Sequence, residues 1–242
     1  MTRTGVDPGA LLTNDPARAA QALARGDLAV LPTETVYGLG ARASDPSAVA
    51  RVYAVKGRPA DHPLIVHLPS ADAVRMWAAE VPDYAARLAH ALWPGSLTLV
   101  LPRGPRAGLH VTGGQATVGL RVPDHPATLA VLERLGDGVA APSANRFGRV
   151  SPTRAEHVLA EIGDQLVLGR DVVLDGGPCR VGVESTIVDA TGPAPRILRP
   201  GGVSAEQVSD VCGMAIDPTP SRTRAPGTRA THYAPRAHVR VT

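Results

Sequence analysis

With 242 residues, 44% hydrophobic and 19% charged, the chain has room for one large domain with a core plus a short appendage. No apolar run approaches the roughly 20 residues that cross a bilayer, and MTRTGVDPGALLTND has neither the apolar stretch nor the cleavage site of a signal peptide. The net charge of +3 permits an anionic ligand without demanding one, while Cys179 and Cys212, lacking CxxC spacing, argue against a disulfide framework or zinc site and for a reducing, cytoplasmic compartment.

Asp15, Pro16 and Gly26 read as N-cap, first helical residue and stop of an Ala/Leu-rich helix, followed by a short apolar strand at 28–31. The next segment, PTETVYGLG at 32–40, is too rich in Thr and Gly for regular structure and reads as a loop at a strand end. Asp45 and Pro46 repeat the cap-plus-proline start, and their helix runs toward Lys56 before Gly57 and Pro59 stop it. PLIVHL at 63–68 reads as a strand, Ser70 as the cap of a helix reaching Trp77, and 82–92 as another helix. Strands are expected at 97–101 and 117–122, a helix at 126–135, and a buried strand leading into APSAN at 141–145. Pro152 opens a helix in SPTRAEHVLAEIG; short strands follow near 172–174, 185–188 and 196–198, and Ser204 with Gln207 forms a capping box for the last helix.

Helices mixed with several direct strand-to-strand steps predict an α/β fold, an open mixed β-sheet flanked by helices, rather than a regular barrel or an all-parallel sheet. The catalytic domain is expected over 1–216. From Asp217 the Pro, Thr and Arg rich segment 217–242 has no hydrophobic period and reads as an extended tail or linker.

Lys56 is the single lysine among 25 basic residues, the rest being arginine. A lone lysine in so arginine-biased a chain points to a need for a compact ammonium, with chance survival as the alternative. PTETVYGLG followed by KGRP joins hydroxyls, free amides and two cations, Lys56 and Arg58, a set suited to holding phosphates. The competing reading is a solvated helix C-terminus, where cations favour the macrodipole anyway. APSANRFG and Ser151 place Ser143 and Asn145 at a strand's carboxyl end, where they line a ligand crevice or build a turn by local side-chain-to-backbone bonds. Arg121, in LRVPDHP, is placed either to grip a carboxylate or to make a surface ion pair. Ser185 and Thr186 open a strand in VGVEST. Common signatures are missing: no GxxxxGK[ST], GxGxxG, HExxH, GxSxG or SxxK. Aromatics at 3% offer few stacking platforms for single-stranded RNA, and the scattered histidines predict no protein-held metal.

Taken together and in order, PTETVYGLG, KGRPADHPLIVH, TVGLRVPDHP, APSANRFGRVSPT, VGVEST and ILRPG resemble the threonylcarbamoyl-AMP synthase family with its YrdC-like domain, over roughly 11–211. SRTRAPGTRATHYAP further resembles the linker of the longer subtype, whose second, C-terminal domain is expected to be absent from a chain that stops at Thr242. The resemblance implies a twisted mixed sheet with a concave, positively charged cavity. It also implies a nucleotidyltransferase that joins L-threonine, bicarbonate or CO2, and ATP into threonylcarbamoyl-AMP and pyrophosphate, for tRNA threonylcarbamoyladenosine formation. Residue by residue it implies Thr35 and His67 against threonine, Arg121 on its carboxylate, and the Ala141 backbone and Ser185 nearby. Lys56 and Arg58 become the catalytic cations facing the triphosphate. Thr117, Ser143, Asn145, Ser151 and Arg199 complete the nucleotide side, Tyr233 folds back over it, and His62 stands where the family has asparagine more often. Magnesium travels with the triphosphate, a downstream tRNA threonylcarbamoyl-transferase machinery receives the product with weak tRNA contact, and no membrane is involved. Two other functions stay open: a module for structured RNA, and a hydrogenase-maturation type carbamoyltransferase, although that type has cysteine-rich zinc segments this chain lacks.

Overall fold

The computed structural model describes residues 8–221 and 223–227. After a 3-10 turn at Pro8–Leu11 come β1 (Leu12–Thr13), α1 (Pro16–Ala24), β2 (Ala29–Leu31), β3 (Gly38–Arg42), α2 (Pro46–Lys56) and β4 (Ile65–His67). Then follow α3 (Val74–Trp77), α4 (Asp83–Leu92), β5 (Leu97–Pro102), α5 (Leu109–Thr112), β6 (Thr117–Arg121), α6 (Pro126–Leu135) and β7 (Val139–Ala140). The chain continues through α7 (Ala155–Ile162), β8 (Val172–Leu174), β9 (Thr186–Asp189), β10 (Arg196–Arg199) and α8 (Ala205–Cys212).

The helix signals work where side chains meet orphan backbone groups. Asp15 accepts from Ala17 N at 2.8 Å, Asp45 from Ser47 and Ala48 N, and Ser204 with Gln207 closes its capping box. Three expectations are corrected. The PTETVYGLG loop ends in strand β3, because Gly40 takes a place where a Cβ would come within 2.7 Å of Val139 and 2.9 Å of the Ala29 carbonyl. There glycine permits close strand packing instead of marking a loop. Ser70 makes no cap bond, and a 3-10 turn, Ala71–Ala73, separates it from α3. Pro152 lies ahead of α7, whose first residue is Ala155. The short β1 and α5 were not anticipated.

Among the described residues the ten strands form one mixed sheet in the order β1-β8-β2-β3-β7-β4-β6-β5-β9-β10. β1 and β2 run parallel to β8, β4 to β6 and β5 to β9, whereas β2/β3, β3/β7, β4/β7, β5/β6 and β9/β10 are antiparallel. The expected mixed sheet flanked by helices is thereby observed.

Side-chain alternation assigns the two faces. Leu28 and Val30 join the larger core with Leu39, Val52, Val66, Leu99 and Trp77, while Ala29 and Leu31 face α1 and α6 with Leu23, Val131 and Val139. Val66 pairs with Ala140, and both face the larger core, so Ile65 and His67 point to the opposite face. On that face Ile65, Val100 and Ile187 form a small separate cluster against Leu198 and Ala225. Here Ala225, which lies outside the helices and strands, packs onto the sheet beside the cleft.

Candidate active site

The cleft begins at the turn after β2. Thr33 Oγ1 donates to the Val36 carbonyl at 2.6 Å and accepts from the Thr35 and Val36 amides, both at 3.1 Å. Its one hydrogen is then spent, so the 2.8 Å contact between Thr33 and Thr35 hydroxyls takes its hydrogen from Thr35. Thr35 Oγ1 also accepts from Arg121 Nη1 at 3.0 Å, leaving one acceptor site for an incoming donor.

Arg121 ends β6 beside His67 at the end of β4, the two residues paired in register. Its Nε donates to the Gly95 carbonyl at 3.1 Å and its Nη2 to Glu34 at 2.5 Å, in an ion pair whose side chains are 4% and 2% exposed. The surface-ion-pair alternative for Arg121 is overturned. Glu34 is held further by Ser96 Oγ and the Asp124 amide, each at 3.0 Å. Burial pushes the Glu34 carboxyl up, but the Arg121 charge and hydrogen bonds outweigh it and hold the group below its usual range. One hydrogen on each terminal nitrogen of Arg121 remains to be donated. His67 is buried, and its Nδ1 has no hydrogen-bond partner among the described residues. Burial, followed by the Arg121 charge, depresses it to about 3, so the ring is neutral near pH 7, with one donor and one acceptor.

Opposite, Ser185 shares a 2.8 Å contact with Thr98, and Arg199 at the end of β10 reaches the Ser185 carbonyl at 2.7 Å and the Pro226 carbonyl at 3.1 Å. Glu184 accepts from Ser151 Oγ at 2.8 Å and lies 3.5 Å from Arg199.

Gly57, with φ of 61°, terminates α2 and turns the chain between the two cations. Both are buried, Lys56 at 3% and Arg58 at 7% exposure, which overturns the solvated-terminus alternative. The Lys56 ammonium donates to the Ser143 and Asn145 carbonyls, each at 2.5 Å. Burial, followed by the neighbouring Arg58 charge, pulls Lys56 down to about 7. Arg58 donates to the Pro63 carbonyl and sits 5.8 Å from the Phe147 ring centre.

Thr35, Arg58, His67, Arg121, Ala141, Ser143, Ser185 and Arg199 thus line one cleft of about 40 Å³, with Glu184 as the acidic side chain on its wall. Thr117 belongs to a smaller neighbouring space of about 10 Å³ that shares Ile65 and Pro226 with the cleft. Lys56 and Asn145 lie behind the wall. The Asn145 amide donates to the Arg146 and Arg149 carbonyls at 2.8 Å, the local turn bonding that was one of its two readings. His62 packs edge-on against Phe147 at 5.3 Å, and Ser151 reaches the cleft through Glu184. Tyr233 lies outside the described residues.

Sequence reasoning passed over Thr33, Glu34, Glu184 and Pro226. The acids could have been found as the lone carboxylates inside PTETVYGLG and VGVEST, each one residue before a hydroxyl singled out for binding.

A family model named Sua5_yciO_yrdC and described as telomere recombination matches residues 21–201. The chain is 43% identical over 239 residues to a Bacillus subtilis protein named threonylcarbamoyl-AMP synthase, covering 96% of this chain and 68% of the relative. It is 44% identical over 229 residues to a Pyrococcus abyssi protein of the same name, covering 92% and 66%. The crystal structure of P. abyssi Sua5 complexed with L-threonine superposes with a TM-score of 0.84 at 43% identity, covering 91% of this chain and 65% of that one. The chain therefore spans about two thirds of the length of these relatives.

Proposed function

Because the chain belongs to the Sua5/YciO/YrdC family, we propose that it makes threonylcarbamoyl-AMP. In this reading the amine of L-threonine takes up bicarbonate or CO2 to form a carbamate, and a carbamate oxygen attacks the α-phosphorus of ATP. The bond from that phosphorus to the bridging oxygen breaks, pyrophosphate leaves, and a mixed carbamoyl-adenylate anhydride remains.

The observation that carries the reading is the clamped Arg121, with a hydrogen left on each terminal nitrogen beside the Thr35 acceptor and neutral His67. A carboxylate on Arg121 leaves the ammonium or amine of the same molecule within reach of Thr35, which suits an α-amino acid. Arg58 and Arg199 on the wall, with Lys56 behind it, support a positively charged phosphate side, and phosphoryl transfer depends chiefly on such alignment and neutralisation. The space around Thr117, Gly119 and Gln115 is assigned to the nucleoside. In this reading magnesium enters with the triphosphate as part of the nucleotide substrate. We assign the reaction to the cytoplasm, with the product passed to tRNA-modifying machinery; no helix among the described residues is long and apolar enough to cross a membrane.

Incubation with radiolabelled bicarbonate, ATP and each amino acid in turn tests the proposal. Label should enter an adenylate with L-threonine and enter less with serine, whose missing methyl is worth about 1–3 kcal/mol. Salt-sensitive tRNA binding without ATP turnover would overturn it.

A further inference from the structure

Glu184 brings a negative charge to the side of the cleft where polyphosphate is placed. Its Oε1 accepts the Ser151 hydroxyl hydrogen at 2.8 Å, and its Oε2 stands 3.5 Å from Arg199 Nη2. Through space it also acts on Lys56 in the direction of retaining the proton, against the larger effects of burial and Arg58. A phosphate oxygen would have the same requirements: a hydroxyl hydrogen, a guanidinium and a nearby ammonium. The side chain is 20% exposed and follows Gly182, at φ of 72°, in a loop whose Val183 is 53% exposed, so the carboxylate keeps a solvent-facing side at the edge of the cleft.

We infer that Glu184 is an internal anion that holds the Ser151 hydroxyl and offsets the charge of Arg199 on the polyphosphate side, and that it exchanges with ATP on entry and with pyrophosphate on release. The inference rests on the nucleotide reading above. Entry of a triphosphate requires Glu184 to give up the Ser151 hydrogen and its place beside the Arg199 charge, while Arg199 stays anchored on Ser185, and its return displaces the pyrophosphate product. Nucleotide affinity is thereby held down and product escape is favoured.

The test is calorimetric titration of wild type, Glu184→Gln and Glu184→Ala with inorganic pyrophosphate and with ATP, each with and without magnesium. Glutamine keeps an acceptor for Ser151 but no charge, so both ligands should bind about tenfold tighter, the scale of one like charge removed from a partly screened site. Alanine removes the charge by a different route and should tighten binding as well. Threonine affinity should stay within about twofold, because the change is confined to the phosphate side. Unchanged or weaker pyrophosphate binding in both variants overturns the inference, as does a loss of binding seen only with magnesium, which would make Glu184 a metal ligand. If the wild type itself binds neither ATP nor pyrophosphate, the nucleotide reading fails first; if the wild type binds and the variants do not tighten, the internal-anion role alone fails.

Discussion

Arg121→Ala separates the two tasks of the buried pair. Arg121 is 4% and Glu34 2% exposed by side chain, so deletion leaves a carboxylate in the interior with neutral donors such as Ser96 Oγ and the Asp124 amide but no paired cation. Removing one partner of a buried pair costs about 3–5 kcal/mol. At about 2–4 °C per kcal/mol for a protein of this size, the melting temperature should fall by about 6–20 °C. The loss should also depend on pH. In the wild type Glu34 is held below its ordinary value, so the pair's stability is complete above that value and lost only as pH falls through the lower, folded one. Without Arg121 the burial push dominates and the carboxyl rises; the native state then binds more protons than the unfolded chain, and the variant gains stability on acidification. The difference between the proteins should therefore shrink from about pH 7.5 to about pH 5 in urea-unfolding curves. Arg121→Lys, which keeps a charge for Glu34 but loses the fork, should recover much of the stability while threonine binding stays weak. A difference for Arg121→Ala below about 1 kcal/mol, or one that is constant across this range, would refute the reasoning.

Three other outcomes follow from the same geometry. Lys56→Arg forces a planar fork between the Ser143 and Asn145 carbonyls, and overpacking of about 1–3 kcal/mol should lower both the melting temperature and pyrophosphate release; normal values of both would contradict this. His67, depressed to about 3, binds its proton in the unfolded chain before the folded one as pH falls from 6.5, so wild-type stability declines over that interval. His67→Gln should lessen the decline by up to about 1.4 kcal/mol per pH unit, and parallel urea-midpoint curves for the two proteins would count against it. Gly201→Ala sets a Cβ 2.3 Å from the Glu184 carbonyl and 2.5 Å from Thr186 N, so the backbone must shift; a loss of about 1–3 kcal/mol with weaker nucleotide binding is expected in thermal melts and titrations.

Local signals settled most helix limits, because a cap or stop is decided by neighbours in the chain: Asp45 and Pro46 open α2, and Gly57 closes it in the left-handed region. The sequence by itself also determined the mixed α/β class and, through resemblance, the family. It could not tell whether PTETVYGLG was loop or strand, since the requirement for Gly40 comes from Val139 and Ala29 across the sheet. Nor could it choose between the paired readings of Arg121, Lys56 and Asn145. Each choice depends on burial and on partners distant along the chain: Glu34 lies 87 residues from Arg121, and the carbonyls that receive Lys56 lie 87 and 89 residues away. A charge within a sequence has no dielectric until the fold encloses it. The tertiary structure alone made Arg121 a clamped fork, turned Lys56 inward and set Glu184 against the groups read as holding phosphate.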